Sequence, residues 1–324
     1  MPIRLPSNRP LERFYRGGAR ISAFRGEPPA HEREPEDWVA STTTIHGEDA
    51  LGLTVLPDGR TLRDAVESDP VGWLGAAHAA SWGGDVRLLV KLLDAGQRLP
   101  VHVHPHDDFA SAHLGRAHGK AEAWYILDGG TVHVGLRRDV DAGELASLVR
   151  EQDVDGLLGL LHEIRVARGD VVWVPPGELH AIGQGVLLLE LQQPEDLSIL
   201  LEWRGFEIDG DDAWHLGLGA ELALAAVNTT ARTAEEMARL VRAAPASGSV
   251  FPAEADVYFR LERVPVDGVV RVAAGFAVLV VAAGEVEVAG EAAPRGSTLL
   301  LAAHEGVVSV TGHGEVLIAR PPLP

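Results

Sequence analysis

Histidines and one glutamate placed on strand-like runs limit the possible fold more than any other feature of this sequence. His102 and His104 are two residues apart, so on a β-strand both imidazoles point to the same side. Glu122 begins a second strand-like run, EAWYIL, and His180 ends a third, VVWVPPGELH. The pattern indicates a β structure in which separate runs together offer three imidazoles and one carboxylate.

These residues also lie on a recognisable two-part motif. The first part fits GxxxxxHxH from Gly96 and ExxxxxxG from Glu122, and the second fits GxxxxxPxGxxH from Gly169 to His180. The motif resembles that of the cupin superfamily, a small antiparallel β-barrel that holds a divalent metal in its mouth. Most cupins have three or four residues between the last histidine of the first part and the glutamate, whereas 17 residues lie between His104 and Glu122 here.

The long insertion narrows the resemblance to one family. The segment HVHPHDD…GKAEAWYIL looks like type I mannose-6-phosphate isomerase, whose short bacterial members read roughly QVHPDD…GKTEAWYIL. The resemblance covers most of residues 35–205. It implies a mainly β fold and a bound Zn²⁺ or another divalent metal such as Fe, Mn, Co or Ni. The implied ligands are His102, His104, Glu122 and His180, with histidine at 102 where the family usually has glutamine.

Length and composition indicate a globular protein without thiol chemistry. The 324 residues are enough for two domains of ordinary size, and 46% of them are apolar. No apolar run approaches the roughly 18 to 20 residues that span a bilayer, and the opening residues lack a signal peptide's hydrophobic segment. We therefore expect a cytoplasmic protein. Because the sequence has no cysteine, any metal must be held by histidine and carboxylate.

The charge of the chain favours a small-molecule partner. A net charge of −19 makes binding to nucleic acid or to anionic lipid improbable, so the expected partner is a sugar or a sugar phosphate. The sequence leaves the oligomeric state open. Only two lysines, Lys91 and Lys120, accompany the many arginines, which suggests two places where the larger guanidinium does not fit.

The order of strand-like and helical segments predicts two cupin-like units. Residues 1–215 form the predicted metal-binding unit, with an irregular N-terminal arm up to residue 35 and a helical insertion near 141–163. Residues 216–324 form a second β unit and a helical connector, whose helix begins at a capping box at 233–236 and runs to about Ala244. The acidic segment EIDGDDA near residue 210 marks the predicted boundary.

The second unit is a degenerate repeat of the first. AGEVEVAG matches GGTVHVGL, and RGSTLLLAAHEGV matches RGDVVWVPPGELH. The repeat has Ala302, His304 and Val307 at the positions of the motif's proline, glycine and histidine. We therefore expect this unit to be structural or to form a wall of the pocket.

The candidate catalytic residues are Lys120 and Glu190. An aldose–ketose isomerase needs a Lewis acid on two substrate oxygens and a base near the carbon. Lys120 would polarise oxygen, and Glu190 would transfer the proton or orient a ligand; the alternative for Glu190 is a buried carboxylate paired with an arginine. The family arginine that is held to be catalytic aligns with Leu200, so either another arginine, such as Arg204 or one in the N-terminal arm, reaches the site, or the reaction differs from that of the family.

Three further histidines surround the insertion. His106 could lie next to the metal ligands or reach substrate, whereas His113 and His118 are interpreted as solvated loop residues. Their roles do not change the functional hypotheses.

The first hypothesis is a metal-dependent isomerase of mannose 6-phosphate and fructose 6-phosphate or a related pair. The alternatives are another cupin metalloenzyme, an oxygenase or an epimerase, and a non-catalytic sugar-binding protein.

Overall fold

The computed structural model describes residues 1–208 and 213–324, which form antiparallel sheets connected by short helices. The strands are β1 (Ile3–Arg4), β2 (Glu36–Val39), β3 (Leu89–Asp94), β4 (His102–Val103), β5 (Glu122–Asp128), β6 (Gly130–Leu136), β7 (Leu161–Val166), β8 (Asp170–Val174), β9 (His180–Ile182), β10 (Leu187–Gln192), β11 (Ile199–Leu200), β12 (Val241–Ala243), β13 (Gly248–Ser249), β14 (Arg260–Val272), β15 (Ala277–Val288), β16 (Glu291–Pro294), β17 (Thr298–Leu301) and β18 (Val308–Arg320). The α-helices are α1 (Ala19–Arg25), α2 (Leu62–Ser68), α3 (Pro70–Leu74), α4 (Ala76–Trp82), α5 (Asp107–Leu114), α6 (Ala142–Glu151), α7 (Val154–Gly159), α8 (Ala220–Leu224) and α9 (Ala234–Leu240).

Two sheets build the unit that contains the motif residues. One has the strand order β12-β8-β5-β10-β3-β2, and the other has the order β11-β4-β9-β6-β7. Leu92 and Leu189 from the first sheet share one buried core with Val132 and Ile182 from the second. The predicted cupin architecture is confirmed.

The central strands of the six-stranded sheet carry charged residues into this interior. β3, β5 and β10 read LVKLLD, EAWYILD and LLLELQ, which are apolar runs of the kind that form fully buried strands. Apart from Asp94 and Asp128 at the strand ends, the charged residues of these runs are Lys91, Glu122 and Glu190, and all three are buried. Burying an unpaired charge costs free energy, so these three buried residues mark the part of the interior that is a candidate functional site.

The second β unit forms a sheet of its own. Its strand order is β1-β17-β15-β18-β14-β13, with β16 pairing with β15. Each unit adds an edge strand to the other unit's sheet. β1, from the N-terminal arm, pairs with β17 of the second unit, and β12, from the connector, pairs with β8 of the first. The division at residues 215 and 216 remains a proposal, and residues 209–212 of the acidic boundary segment lie outside the described part of the chain.

The N-terminal arm is held against the edge of the six-stranded sheet. The backbone of Gly17 approaches Asp94 so closely that a Cβ would lie 2.0 Å from the Asp94 carbonyl oxygen. The backbone N–H groups of Gly18 and Arg20 donate to Asp94 Oδ2 at 2.7 and 2.9 Å. These contacts fix the residues just before Gly17 next to β2 and β3.

The helices follow the predicted signals with one difference. α6 and α7 occupy the expected insertion, and Thr233 caps α9 through the predicted capping box. α9 ends at Leu240 rather than near Ala244, because residues 241–243 extend and pair with β8. Within the described ranges, we find no helix with the length and apolar character that a membrane span requires.

Candidate metal centre

The four motif residues converge inside the first β unit. β4 pairs with β9 so that His102 lies directly opposite His180, and β5 begins with Glu122 on the facing sheet. One nitrogen or oxygen from each of His102, His104, Glu122 and His180 lies within 4.8 Å of the other three, and all four residues are buried. Strand alternation, which predicted that the imidazoles share a side, explains how His102 and His104 both face this cluster.

Each of the three imidazoles is oriented by a backbone carbonyl. Nδ1 lies 2.8 Å from the Pro100 oxygen in His102, 2.7 Å from the Leu197 oxygen in His104 and 2.9 Å from the Glu178 oxygen in His180. A carbonyl only accepts, so the proton of each neutral ring resides on Nδ1 and the lone pair on Nε2 faces the cluster. Such carbonyl contacts are typical of histidines that bind metals.

Lone pairs face one another at the centre of the cluster. His180 Nε2 lies 3.2 Å from Glu122 Oε1, and it has no hydrogen-bond partner among the described residues. Two acceptors at this distance do not form a hydrogen bond and require a cation to stabilise them. Three imidazoles and one carboxylate are a suitable donor set for Zn²⁺, Fe, Mn, Co or Ni, so the residues fit a divalent metal.

Electrostatics keep the cluster in the form that binds a metal. Burial lowers the pKa of His104 to about 3, and the neighbouring Lys120 contributes to the effect. Burial likewise lowers the pKa of His102, assisted by His180. Although burial opposes its charge, Lys120 and His104 hold the pKa of Glu122 well below its usual range. The imidazoles of His102 and His104 are therefore neutral and the carboxylate of Glu122 is ionised near pH 7, as metal ligands must be.

Lys120 borders the cluster directly. Its Nζ lies 2.8 Å from Glu122 Oε2 and 3.1 Å from His104 Nε2. Although burial favours the neutral amine, Glu122 and then Glu190 raise the pKa of Lys120. A charged ammonium thus stands beside the ligand atoms, where it can interact with a substrate oxygen.

A narrow inner cavity opens beside the cluster. Its volume is about 30 Å³. The charged residues in its wall are Arg13, Glu36, Lys91, Lys120, Glu122, Glu190 and Asp196. The two lysines singled out from composition both line this cavity, which agrees with the prediction that they mark special positions.

Glu190 lies on β10, where it is opposite Lys91 on β3 and Trp124 on β5. Its Oε1 is 3.7 Å from Lys91 Nζ and has no hydrogen-bond partner among the described residues. Burial, followed by the charge of Glu122, raises the pKa of Glu190 to about 7. The carboxylate is therefore buried and paired, as the alternative interpretation expected, but its partner is a lysine rather than an arginine.

Arg13 from the N-terminal arm supplies the guanidinium of the cavity. Its Nε donates to Glu36 Oε1 at 3.0 Å, and its Nη1 and Nη2 donate to the two oxygens of Asp196 at 3.4 Å. Leu200 lines the same cavity, on a strand position opposite His102. Arg204 is exposed and donates to the Glu151 carbonyl at 3.3 Å, and it does not line the cavity. Of the two predicted replacements for the family arginine, only the arm reaches the site.

The other histidines lie outside the cluster. His113 is exposed, as predicted, and His106 is exposed at the start of α5. The prediction for His118 was wrong, because its ring is buried and its Nε2 lies 2.7 Å from Asp85 Oδ2. In the second β unit, His304 Nδ1 lies 2.9 Å from the Gly72 carbonyl oxygen and packs edge-on against Trp73.

Similarity to known proteins agrees with this architecture, although no model of a known protein family matches the chain. Mannose-6-phosphate isomerase ManA of Bacillus subtilis is 38% identical over 135 residues, which cover 39% of this chain and 38% of the relative. The mannose-6-phosphate isomerase of Streptococcus mutans is 32% identical over 202 residues, which cover 60% of this chain and 58% of the relative. These matches span less than two thirds of either relative.

The similarity of fold extends over the whole chain. The crystal structure of the mannose 6-phosphate isomerase from Bacillus subtilis matches 98% of this chain and 99% of its own, with a TM-score of 0.72 at 21% identity. The fold match, which covers nearly all of the chain, includes both β units. The chain is therefore similar to mannose-6-phosphate isomerases in sequence, over up to 60% of its length, and in fold, over nearly all of its length.

Proposed function

We propose that this protein is a metal-dependent aldose–ketose isomerase that interconverts mannose 6-phosphate and fructose 6-phosphate or a related sugar pair. One observation carries the proposal: four buried metal-ligand side chains border a cavity whose wall contains Glu190, a carboxylate with a pKa of about 7. The relatives in Bacillus subtilis and Streptococcus mutans are mannose-6-phosphate isomerases, which supports the same reaction class.

The metal would be held by His102, His104, Glu122 and His180. Zn²⁺ suits these ligands, and Fe, Mn, Co or Ni suits them as well. When bound, the ion would supply Lewis acidity to the two oxygens between which the carbonyl group migrates. The carbonyl contacts at Nδ1 keep the imidazoles aimed at the ion, which reduces the reorganisation that binding requires.

Glu190 is the proposed proton-transfer group. Isomerisation moves a proton between adjacent carbons, so one group must accept it and return it at neutral pH. A carboxylate with a pKa of about 7 is present in both protonation states under those conditions. Lys120 and Lys91, the latter 3.7 Å away, moderate the rise in pKa and keep the basic form available.

Lys120 and Arg13 are the proposed stabilisers of negative charge on substrate. The ammonium of Lys120, next to Glu122 and His104, faces the position that substrate oxygens occupy when they approach the ligand atoms. The Arg13 guanidinium lines the same cavity and takes the role that the resemblance assigns to an arginine at position 200. Preorganised cations in a buried site stabilise developing charge strongly, because little reorganisation is needed.

Steady-state kinetics with defined metals tests the proposal. Protein depleted of metal and reloaded separately with Zn, Mn, Co or Fe is assayed against a panel of aldoses, ketoses and their phosphates. We expect metal-dependent interconversion of at least one pair, with kcat lowered by roughly 100-fold or more in the metal-loaded Glu190→Gln variant. Oxygen consumption that requires Fe(II) would instead identify an oxygenase. Binding of sugars, measured by thermal shift, without turnover of any of them would identify a sugar-binding protein.

A further inference from the structure

Lys120 lies on an irregular segment directly before β5. Residues 119–121 are buried, and they belong to none of the described helices and strands. A buried backbone N–H group that lacks an acceptor costs free energy, so each of these three groups must find one elsewhere in the fold. The position of the Lys120 ammonium beside the metal cluster therefore depends on the groups that accept hydrogen bonds from this segment.

Two side chains accept from the backbone on either side of Lys120. The Gly119 N–H donates to Asp107 Oδ1 at 2.8 Å, and the Ala121 N–H donates to Gln193 Oε1 at 2.8 Å. The backbone N–H of Gln193 in turn donates to the Ala121 carbonyl oxygen at 3.0 Å. Gln193 Nε2 also donates to Asp107 Oδ1 at 2.8 Å, which joins the two acceptors in one network. Asp107 comes from the start of α5 and Gln193 from the residue after β10.

The residues that lead into α5 also contact this segment through the backbone. The Lys120 N–H donates to the Pro105 carbonyl oxygen at 3.0 Å. A Cβ on Gly119 would lie 2.2 Å from that same oxygen and 2.8 Å from the Asp107 backbone nitrogen. Any larger residue at 119 would force the two backbones apart. The segment that carries Lys120 and the beginning of α5 are therefore packed against each other as one unit.

This support matters because lysine has a flexible four-carbon stem. The backbone network determines where the stem begins, and the contacts of Nζ with Glu122 and His104 determine where it ends. Asp107 and Gln193 are neither members of the four-residue cluster nor among the described residues that line the inner cavity. Any effect that they have on a substrate must therefore be transmitted through Lys120.

We infer that Asp107 and Gln193 are positioning residues that hold Lys120 against the metal cluster. The inference rests on the proposed isomerase function, in which Lys120 stabilises charge on the substrate. A displacement of a reacting group by about 1 Å lowers a rate by up to roughly 100-fold, so the loss of either acceptor lowers kcat through Lys120. A residue that served folding alone would lower kcat equally whether or not the lysine is present.

A double-mutant cycle tests the inference. Asp107→Ala removes the acceptor for Gly119 at a half-buried position, and in metal-loaded protein it should lower kcat by roughly 10- to 100-fold. In the Lys120→Met background the same substitution should lower kcat by less than about twofold, because the ammonium that it displaces is absent. Asp107→Asn should restore most of the wild-type kcat, since its amide oxygen can still accept. Equal losses in both backgrounds, or wild-type kcat in either Asp107→Ala or Lys120→Met, would overturn the inference.

The first turn of α5 offers a matched control. Asp108 is the exposed neighbour of Asp107 in the same turn, so Asp108→Ala should keep the wild-type kcat. Gln193→Met removes the second acceptor with a side chain of similar size, and it should reproduce the loss of kcat if Asp107→Ala does not fold. Metal content, measured by elemental analysis, should stay at the wild-type level in Asp107→Ala. Loss of metal there would show that Asp107 acts through the metal centre and would overturn the inference.

Amide hydrogen exchange separates this inference from the isomerase proposal. Asp107→Ala should speed exchange at residues 119–121 by roughly tenfold or more, whereas Asp108→Ala should leave it unchanged. A wild-type protein that isomerises no sugar would overturn the isomerase proposal, and the exchange rates would still decide whether Asp107 holds the segment. Unchanged exchange in Asp107→Ala would overturn the positioning role itself.

Discussion

Glu190 and Lys91 face each other on neighbouring antiparallel strands, with 3.7 Å between a carboxylate oxygen and the ammonium nitrogen. Both side chains are 3% exposed, so the pair lies in the interior and not on the surface of the sheet. Burial and the charge of Glu122 raise the pKa of Glu190, Lys120 and Lys91 lower it, and the result is a pKa of about 7. A structural ion pair would hold its carboxylate fully ionised, whereas this one is balanced between two protonation states.

The first prediction concerns catalysis by Glu190. Glu190→Gln keeps the size of the side chain and removes the proton acceptor, so kcat should fall by roughly 100-fold or more. Metal content, measured by elemental analysis, should stay at the wild-type level because Glu190 is outside the four-residue cluster. A variant that retains wild-type kcat would exclude Glu190 as the proton-transfer group.

The second prediction concerns the pH dependence of activity. A base works when deprotonated, so kcat should rise with pH and level off above a midpoint near or below the pKa of about 7, since a bound cation favours the carboxylate. Lys91→Met removes the ammonium that lowers this pKa, so the midpoint should move to higher pH. If the pH profiles of wild type and Lys91→Met coincide, the residue that titrates is a different one.

The third prediction concerns stability in the metal-free protein. The pKa of Glu190 is higher in the folded state, at about 7, than its ordinary value of 4.5. Folding therefore takes up a proton in that interval, and the contribution of Glu190 to stability is lost as pH rises from about 4.5 to about 7. Urea unfolding at pH 5 and pH 8 should show Glu190→Gln gaining stability relative to wild type only at pH 8. An equal difference at both pH values would contradict the assigned shift.

The four-residue cluster could be predicted because its signals are local. His102 and His104 owe their common direction to strand alternation, and Glu122 and His180 lie at the ends of runs that the sequence marks as strands. The contacts that orient the imidazoles could not be predicted. The carbonyl oxygen that meets His104 belongs to Leu197, 93 residues along the chain, and nothing in the local sequence specifies that approach.

Arg13 illustrates a second limit of the sequence. Seven arginines occur in the first 35 residues, without a periodic pattern that separates one from another. The choice of Arg13 follows from the seating of the arm, in which Gly17 fits against Asp94 and Tyr15 donates to Glu36 at 2.8 Å. Such a long-range contact depends on the completed sheet. His118 was misjudged for the same reason, since its partner Asp85 lies 33 residues earlier.

The fourth prediction tests whether Arg13 supplies the guanidinium of the site. Arg13→Met should lower kcat/KM by about 100-fold, since it removes a preorganised cation from the cavity, and Arg13→Lys should restore part of the loss. Arg16→Met in the same arm and Arg204→Met are the matched controls, because both side chains are exposed. An effect of Arg204→Met as large as that of Arg13→Met would show that the wrong arginine had been chosen.

The fifth prediction tests the metal centre with two buried histidines. His180→Ala removes a ligand whose Nε2 faces Glu122, so the purified protein should lose its metal and its activity. His118→Ala, the control, removes a buried imidazole that pairs with Asp85 outside the cluster, and it should keep the metal. Chelation should lower the stability of wild type and of His118→Ala by about 4 kcal/mol when the free metal before chelation is about 1,000 times Kd. Chelation should leave the stability of His180→Ala unchanged, because the loss of the ligand has already removed the metal-dependent stabilisation. Equal metal content in His180→Ala and His118→Ala would disprove the assignment of His180 as a ligand.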